Sequence, residues 1–160
     1  MFRVVGKQAG ITVLIIDLLK GLTAVLIARF VMAQFGDNLT LSTWIQTFVG
    51  LLAILGHSRA VWLNFTGGKS AATGLGVILA LAGPVGVGTA VVFGFVFGLS
   101  RTVSLGSISA ATAAPVLMLL TGQPLPFILL VLLGGIYVII RHRTNISRLL
   151  AGTEPKLGNG

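Results

Sequence analysis

The sequence predicts an all-α polytopic membrane protein, and three observations carry that prediction. Hydrophobic residues make up 55% of the 160 residues, charged residues only 9%, and the mean hydropathy is +1.03. A soluble domain carries roughly 25% charged residues, so this chain lacks the charge to cover a water-facing surface. Apolar stretches of spanning length recur along the chain, and the bases between them are distributed with a one-sided bias. An ordinary soluble domain, a disordered chain and a coiled coil are excluded. The net charge of +8, from 11 Lys plus Arg against 3 Asp plus Glu, does not signal nucleic-acid binding, because few residues remain for a soluble basic face. Cysteine is absent, which removes disulfides, thiolate metal sites and a Cys nucleophile.

About 20 apolar residues span a bilayer as a helix. The first stretch runs from about Ile11 to Ala33. Met1 to Gly10 is short and basic, and no small-residue cleavage site follows, so no cleaved signal peptide is expected. The second stretch runs from about Leu41 to Leu55, after a turn at Asp37-Asn38. Ser70 to Ser100 is apolar but interrupted by Gly83-Pro84. The next stretches run from about Val103 to Leu120 and from about Pro126 to Ile140, with Gly122-Gln123-Pro124 as the turn between them.

Charge decides how the interrupted region is counted. Two short helices meeting at Gly83-Pro84 place Arg3, Lys7, Arg59, Lys69, Arg101, Arg141, Arg143, Arg148 and Lys156 on one side; a single span separates Arg101 and the C-terminal bases from the rest. The positive-inside rule selects six helices with both ends cytoplasmic. Arg29, near the outer end of the first span, is the exception and is expected to snorkel to the interface. Gly74, Gly76, Gly86, Gly88, Gly94, Gly98, Gly134 and Gly135 lie in or near the spans and are read first as close-packing positions.

Several polar residues do not belong in lipid. Asp17 and Lys20, three apart in the first span, share a helix face and can pair; they form either a structural ion pair or part of a polar pocket. Gly67-Gly68 permits a tight turn with exposed backbone N–H groups, Lys69 adds positive charge, and the next helix points its N-terminus at the same spot. Such a combination suits phosphate, and the plainer reading is a positive-inside loop. It is not a Walker A loop, since the first glycine at the required spacing is missing. His142 and Asn145 share a face if the last helix continues. Arg141, Arg143 and Arg148 suit phosphate or anionic headgroups. Glu154, the single glutamate, lies among bases and can tie the tail to Arg148. Ser104 and Ser107, three apart at the start of a helix, suit capping or interhelical hydrogen bonds. Two histidines and a scattered Glu make a poor metal-ligand set, so no metal is expected. Three loops thus bring anion-binding groups to one membrane face, which fits a site for one or two anionic substrates beside lipid.

These residues resemble those of the acyl-phosphate:glycerol-3-phosphate acyltransferases, the PlsY family, over nearly the whole chain. Gly56-His57 through Gly67-Gly68-Lys69-Ser70-Ala71-Ala72-Thr73-Gly74-Leu75-Gly76 is similar to the family's second motif. Ser58 and Trp62 stand where many members have a Phe-Pro-Val-Phe core, a wording similar to cyanobacterial members. Val103-Ser104-Leu105-Gly106-Ser107-Ile108 resembles a serine-rich stretch of the family. Arg141-His142-Arg143-Thr144-Asn145-Ile146 with Arg148-Leu149-Leu150 and Gly152-Thr153-Glu154 resembles its third motif. Gly6-Lys7-Gln8-Ala9-Gly10 and Leu18-Leu19-Lys20-Gly21 are also family-like.

The resemblance implies transfer of a fatty acyl group from acyl-phosphate to the 1-hydroxyl of sn-glycerol 3-phosphate, giving lysophosphatidic acid and phosphate. It implies a multi-pass enzyme of the inner (plasma) membrane with a cytoplasmic site and no cofactor, linked functionally to the soluble enzyme that makes acyl-phosphate. Gly67, Gly68 and Lys69 match glycerol phosphate ligands, with Arg3 and His57 beside them on the substrate-binding side. His142 and Asn145 match activity residues, joined by Ser104 and Ser107. Glu154 matches a structural glutamate, and Asp17 and Lys20 are taken as structural. The hydroxyl proton falls to His142, His57 or a substrate phosphate oxygen. The family has seven helices, and its first motif, a Ser-Gly-Asn…Gly-Ala-Thr-Asn loop, precedes the position of Arg3. The chain is therefore expected to be one domain, 1–160, shortened at its N-terminus, by a start codon placed too late or by a true truncation, the former preferred. Two other readings compete: a small transporter, suggested by the even span count and broken glycine-rich helices but showing no internal repeat, and a non-catalytic membrane subunit.

Overall fold

The structure is a computed structural model that describes residues 6–36, 38–59 and 67–157; Arg3 and Trp62 lie outside the described residues. Among these there are seven α-helices and no strand: α1 (Gly6–Gln34), α2 (Leu39–Ser58), α3 (Ala71–Leu81), α4 (Gly83–Ser100), α5 (Val103–Leu120), α6 (Leu125–Arg141) and α7 (Arg143–Leu150). Each predicted apolar stretch falls on a helix, and the interrupted region divides into α3 and α4. Pro84 sits in the first turn of α4, where its missing N–H costs no helical bond, and a new helix begins there.

Four helices, α1, α2, α4 and α5, are long and apolar enough to cross a membrane, and α6 with α7, bent by 59° at their joint, makes a fifth. With 11 residues, α3 rises only about 16 Å against a hydrocarbon core of about 30 Å. The protein is thus an all-helical, multi-pass membrane protein, and helix length alone does not supply the sixth crossing. Its outward faces are apolar: Ile27, Phe30, Phe48, Val91, Phe95 and Leu133 are all exposed. Apolar surface on that scale suits lipid rather than water.

The chain forms two compact units, Met1–Leu81 and Ala82–Gly160. In the first, α1 packs along α3 and both contact α2. Gly21 of α1 lies against the Thr73 carbonyl and Gly76 of α3 against the Leu18 carbonyl; a Cβ at either glycine would overlap the opposite backbone. This reciprocal contact brings two helix backbones together as small residues do in lipid. Arg29 does not simply snorkel. Its Nε donates to Gln46 Oε1 at 3.1 Å and its Nη2 to the carbonyls of Ala80 and Leu81. The last carbonyls of a helix lack intrahelical partners, and the guanidinium supplies them for α3.

In the second unit α5 packs on α4 and α6. Pro115 lies inside α5 and cannot donate to the Ala111 carbonyl. Gly135 of α6 sits against that carbonyl, where a Cβ would stand 2.8 Å from the oxygen. The packing reading holds for Gly76 and Gly135 but not for Gly74, Gly94 and Gly98, whose missing side chains would meet nothing within 4 Å. Gly122, at φ +62°, ends α5: its N–H donates to Leu119 and that of Gln123 to Met118, a Schellman cap at the predicted turn.

Candidate functional site

The predicted site residues fall into two clusters, one in each unit. The first surrounds the segment from Gly67 to Ser70, between the last turn of α2 and the start of α3. Gly67 rests on the backbone of His57 and Ser58, and a Cβ there would overlap the His57 carbonyl. Gly68 rests on the His57 ring, where a Cβ would overlap Nε2. Ser70 has φ +61°, a conformation unfavourable for a residue with a Cβ. Its hydroxyl donates to the Ile54 carbonyl at 2.8 Å, and its own carbonyl accepts from the Gly74 N–H at 2.8 Å, opening α3. Lys69 is exposed, beside the helix start. The segment therefore lies flat on the end of α2 because two of its residues have no side chain. A helix N-terminus, turn backbone and a lysine together form an electropositive lip.

Asp17 and Lys20 form the expected pair, Oδ1 to Nζ at 3.3 Å. The sequence reading missed a second partner: Asp17 Oδ1 is 3.4 Å from His57 Nδ1, and both side chains are 15% exposed. An i,i+3 pair is visible in one dimension, whereas a partner on another helix is not. The available signal was scarcity, since the chain has only three acidic residues and one of them lies in an apolar helix.

The second cluster centres on Glu154. Its Oε1 accepts from Ser104 Oγ at 2.7 Å and Asn145 Nδ2 at 2.6 Å, and its Oε2 accepts from Arg148 Nε at 2.7 Å. Burial pushes the carboxyl up, but the hydrogen bonds from Asn145, Ser104 and Arg148, with the Arg148 charge, outweigh it and hold the group below its ordinary value. Gly152, at φ +68°, makes this possible. Its N–H donates to Leu149 and that of Thr153 to Arg148, a Schellman cap that turns the tail back along α7. The Leu157 N–H reaches the Arg101 carbonyl at 2.8 Å, tying the tail to the turn between α4 and α5.

Two readings that the sequence left open are decided here. The last helix does not continue through His142; α6 ends at Arg141, and His142 is the joint from which α7 departs. The sequence turns from apolar to Arg-His-Arg at that point, and α7 follows a different direction. Ser104 does not cap α5, whose N-cap is Thr102; it reaches Glu154 instead. Ser107, one turn further on, is buried in α5. His142 is 3% exposed, and its Nδ1 lies 2.8 Å from the Val138 carbonyl. A carbonyl only accepts, so Nδ1 carries a proton, which in a neutral ring leaves Nε2 as the basic nitrogen. Among the described residues no cluster of His, Asp or Glu is arranged to hold a metal ion.

Comparison with known proteins agrees with these motifs. The family model for glycerol-3-phosphate acyltransferase matches residues 1–152. A glycerol-3-phosphate acyltransferase of Acaryochloris marina is 47% identical over 167 residues, spanning 99% of this chain and 74% of the relative. Glycerol-3-phosphate acyltransferase 2 of Rhizobium johnstonii is 52% identical over 169 residues, spanning 99% and 77%. Two crystal structures of PlsY, an integral membrane glycerol 3-phosphate acyltransferase, are similar to the whole fold. The lysophosphatidic acid form superimposes with a TM-score of 0.87 at 36% identity, covering 98% of this chain and 76% of that one. The glycerol 3-phosphate form gives 0.88 at 36% identity, covering 98% and 75%.

Proposed function

This chain belongs to the glycerol-3-phosphate acyltransferase family, and from that premise we propose which donor, hydroxyl and residues its reaction uses. It is an enzyme of phospholipid synthesis that acylates glycerol 3-phosphate. The donor is an acyl-phosphate and the acceptor the 1-hydroxyl. The hydroxyl oxygen forms the new ester bond, the bond from carbonyl carbon to phosphate oxygen breaks, and the hydroxyl proton ends on the released phosphate. Products are lysophosphatidic acid and inorganic phosphate. A mixed anhydride is already activated, so the protein's share of the work is positioning and charge neutralisation. No metal, nucleotide or carboxylate pair is required.

The observation that carries this reading is the Gly67–Ser70 segment. Its glycines let the backbone lie against α2, and the N-terminus of α3 and Lys69 make it a cradle for the glycerol phosphate. The second cluster supplies turnover. His142 holds its ring by Nδ1, which leaves Nε2 as the nitrogen suited to proton handling. Asn145 and Ser104 are oriented by Glu154, Ser107 lies one helical turn further along the same serine-rich stretch, and Arg3 belongs to the substrate-binding side. The proposed topology is six crossings of the inner membrane, with both ends and the site cytoplasmic, and a soluble enzyme supplies the acyl-phosphate.

Steady-state kinetics in membranes test the assignment. K69A raises KM for glycerol 3-phosphate about tenfold or more, the effect of losing a charged hydrogen bond of about 1.5–3 kcal/mol. H142A lowers kcat about 100-fold, as loss of a proton-transfer group does. Unchanged parameters in both variants remove these residues from the site.

A further inference from the structure

We propose that Asp17 is a positioning residue for the substrate loop, acting through the His57 ring on Gly67-Gly68-Lys69. This rests on the reading of that loop as the glycerol phosphate cradle.

An ionised aspartate in an apolar helix is costly, about 2.5–3.5 kcal/mol at a bilayer centre on insertion scales. Lys20 is one partner, at 3.3 Å, but it lies on the same helix and does not tie the carboxylate to the rest of the unit. His57 is the better match: both side chains are largely buried, and they join α1 to the last turn of α2. The ring is engaged on two edges. Nδ1 faces the carboxylate at 3.4 Å, and the Nε2 edge fills the space that a side chain at Gly68 would take.

The loop is moored to α2 at three places. Ser70 is held by the Ile54 carbonyl, Gly67 lies on the backbone of His57 and Ser58, and Gly68 lies on the His57 ring. The first two supports are helix backbone and do not move independently of α2. The third is a side chain with rotamer freedom, and Asp17 is a group placed to hold its rotamer. Without the carboxylate the ring loses this charged anchor, and the floor under Gly68, next to Lys69, is held less firmly. A loop displaced by a fraction of an ångström binds a phosphate less well, because its donors no longer converge.

The test is kinetic and uses the intact chain in membranes, with D17N, D17E, H57Q, the double variant D17N/H57Q, and K69A. D17N raises KM for glycerol 3-phosphate about tenfold, the scale of one charged contact, while KM for acyl-phosphate and kcat change less than about twofold. D17E restores KM for glycerol 3-phosphate to within about threefold of the parent. Because the two residues act in series, D17N/H57Q is no worse than H57Q alone. A purely architectural role of Asp17 predicts otherwise: both KM values, kcat and thermal stability shift together, and the single effects multiply. Either that pattern or an unchanged KM for glycerol 3-phosphate in D17N overturns the proposal. If D17N does not accumulate folded, H57Q and D17E decide, a selective KM rise in the first but not the second supporting the proposal and no selective rise in H57Q overturning it. K69A separates the two levels. A raised KM in K69A with a normal one in D17N sinks the role of Asp17 alone, whereas a normal KM in both sinks the loop reading.

Discussion

Ser70 shows how much of the site hangs on single backbone angles. Its φ of +61° costs about 1–2 kcal/mol for a residue with a Cβ, and its hydroxyl bond to the Ile54 carbonyl returns about 0.5–1.5 kcal/mol. S70G removes both terms and leaves stability within about 1 kcal/mol of the parent. S70A keeps the strain, loses the bond and falls about 1 kcal/mol below it. Thermal unfolding in detergent ranks the three, and S70G less stable than S70A contradicts the strain account. The sequence signalled a loop here through Gly67-Gly68, and it suggested the chemistry through Lys69. It did not reveal which residue turns left-handed, because serine is not the residue such a position favours. Nor did it reveal that Asp17 faces His57, forty positions along the chain, since that contact depends on how α1 packs against α2.

At the scale of elements, the α7 segment and its tail illustrate a motif whose letters each have a mechanical reason. Gly152 permits the left-handed cap, the cap reverses the chain, and the reversal delivers Glu154 to Ser104, Asn145 and Arg148. G152A forces a Cβ into φ +68°, a strain of about 1–2 kcal/mol. It loosens the tail, seen as faster amide exchange over residues 143–157, and exchange equal to the parent contradicts the latch. The acid dependence has a definite sign. The Glu154 carboxyl is held below its ordinary value of 4.5. A depressed carboxylate stabilises the fold above its unfolded pKa and loses that contribution as pH falls through the folded value. The tail therefore stays protected at pH 7 and pH 5 and opens only in stronger acid, whereas E154Q is less protected than the parent even at pH 7. Protection that falls between pH 7 and pH 5 contradicts this. Helix positions were legible because proline, glycine and polar turns punctuate long apolar runs. The bend at His142 was not, because no proline or glycine marks the joint between Arg141 and Arg143, and the change from apolar to charged residues there does not by itself tell a bend from a straight helix leaving the lipid.

For the whole molecule, composition already fixed the solvent: a chain with 9% charged residues and mean hydropathy +1.03 folds in lipid. The number of crossings is a finer matter. An 11-residue α3 falls short of an ordinary span, so the six-crossing arrangement rests on where the bases lie rather than on helix length. The absence of cysteine makes that arrangement easy to probe. A membrane-impermeant thiol reagent added outside intact cells labels Q123C but not T153C; labelling of T153C reverses the assigned orientation. The proposed arrangement places nine bases at the cytoplasmic face, a favourable field for two phosphate-bearing substrates. The chemistry proposed for this face is acyl transfer from an acyl-phosphate, and its most direct test is an assay of membranes containing the protein. Labelled glycerol 3-phosphate is supplied with acyl-phosphate as the sole donor, and product and phosphate are measured together. The account predicts labelled lysophosphatidic acid with one inorganic phosphate released per acyl group transferred. No labelled product, with a family relative active in parallel, contradicts it.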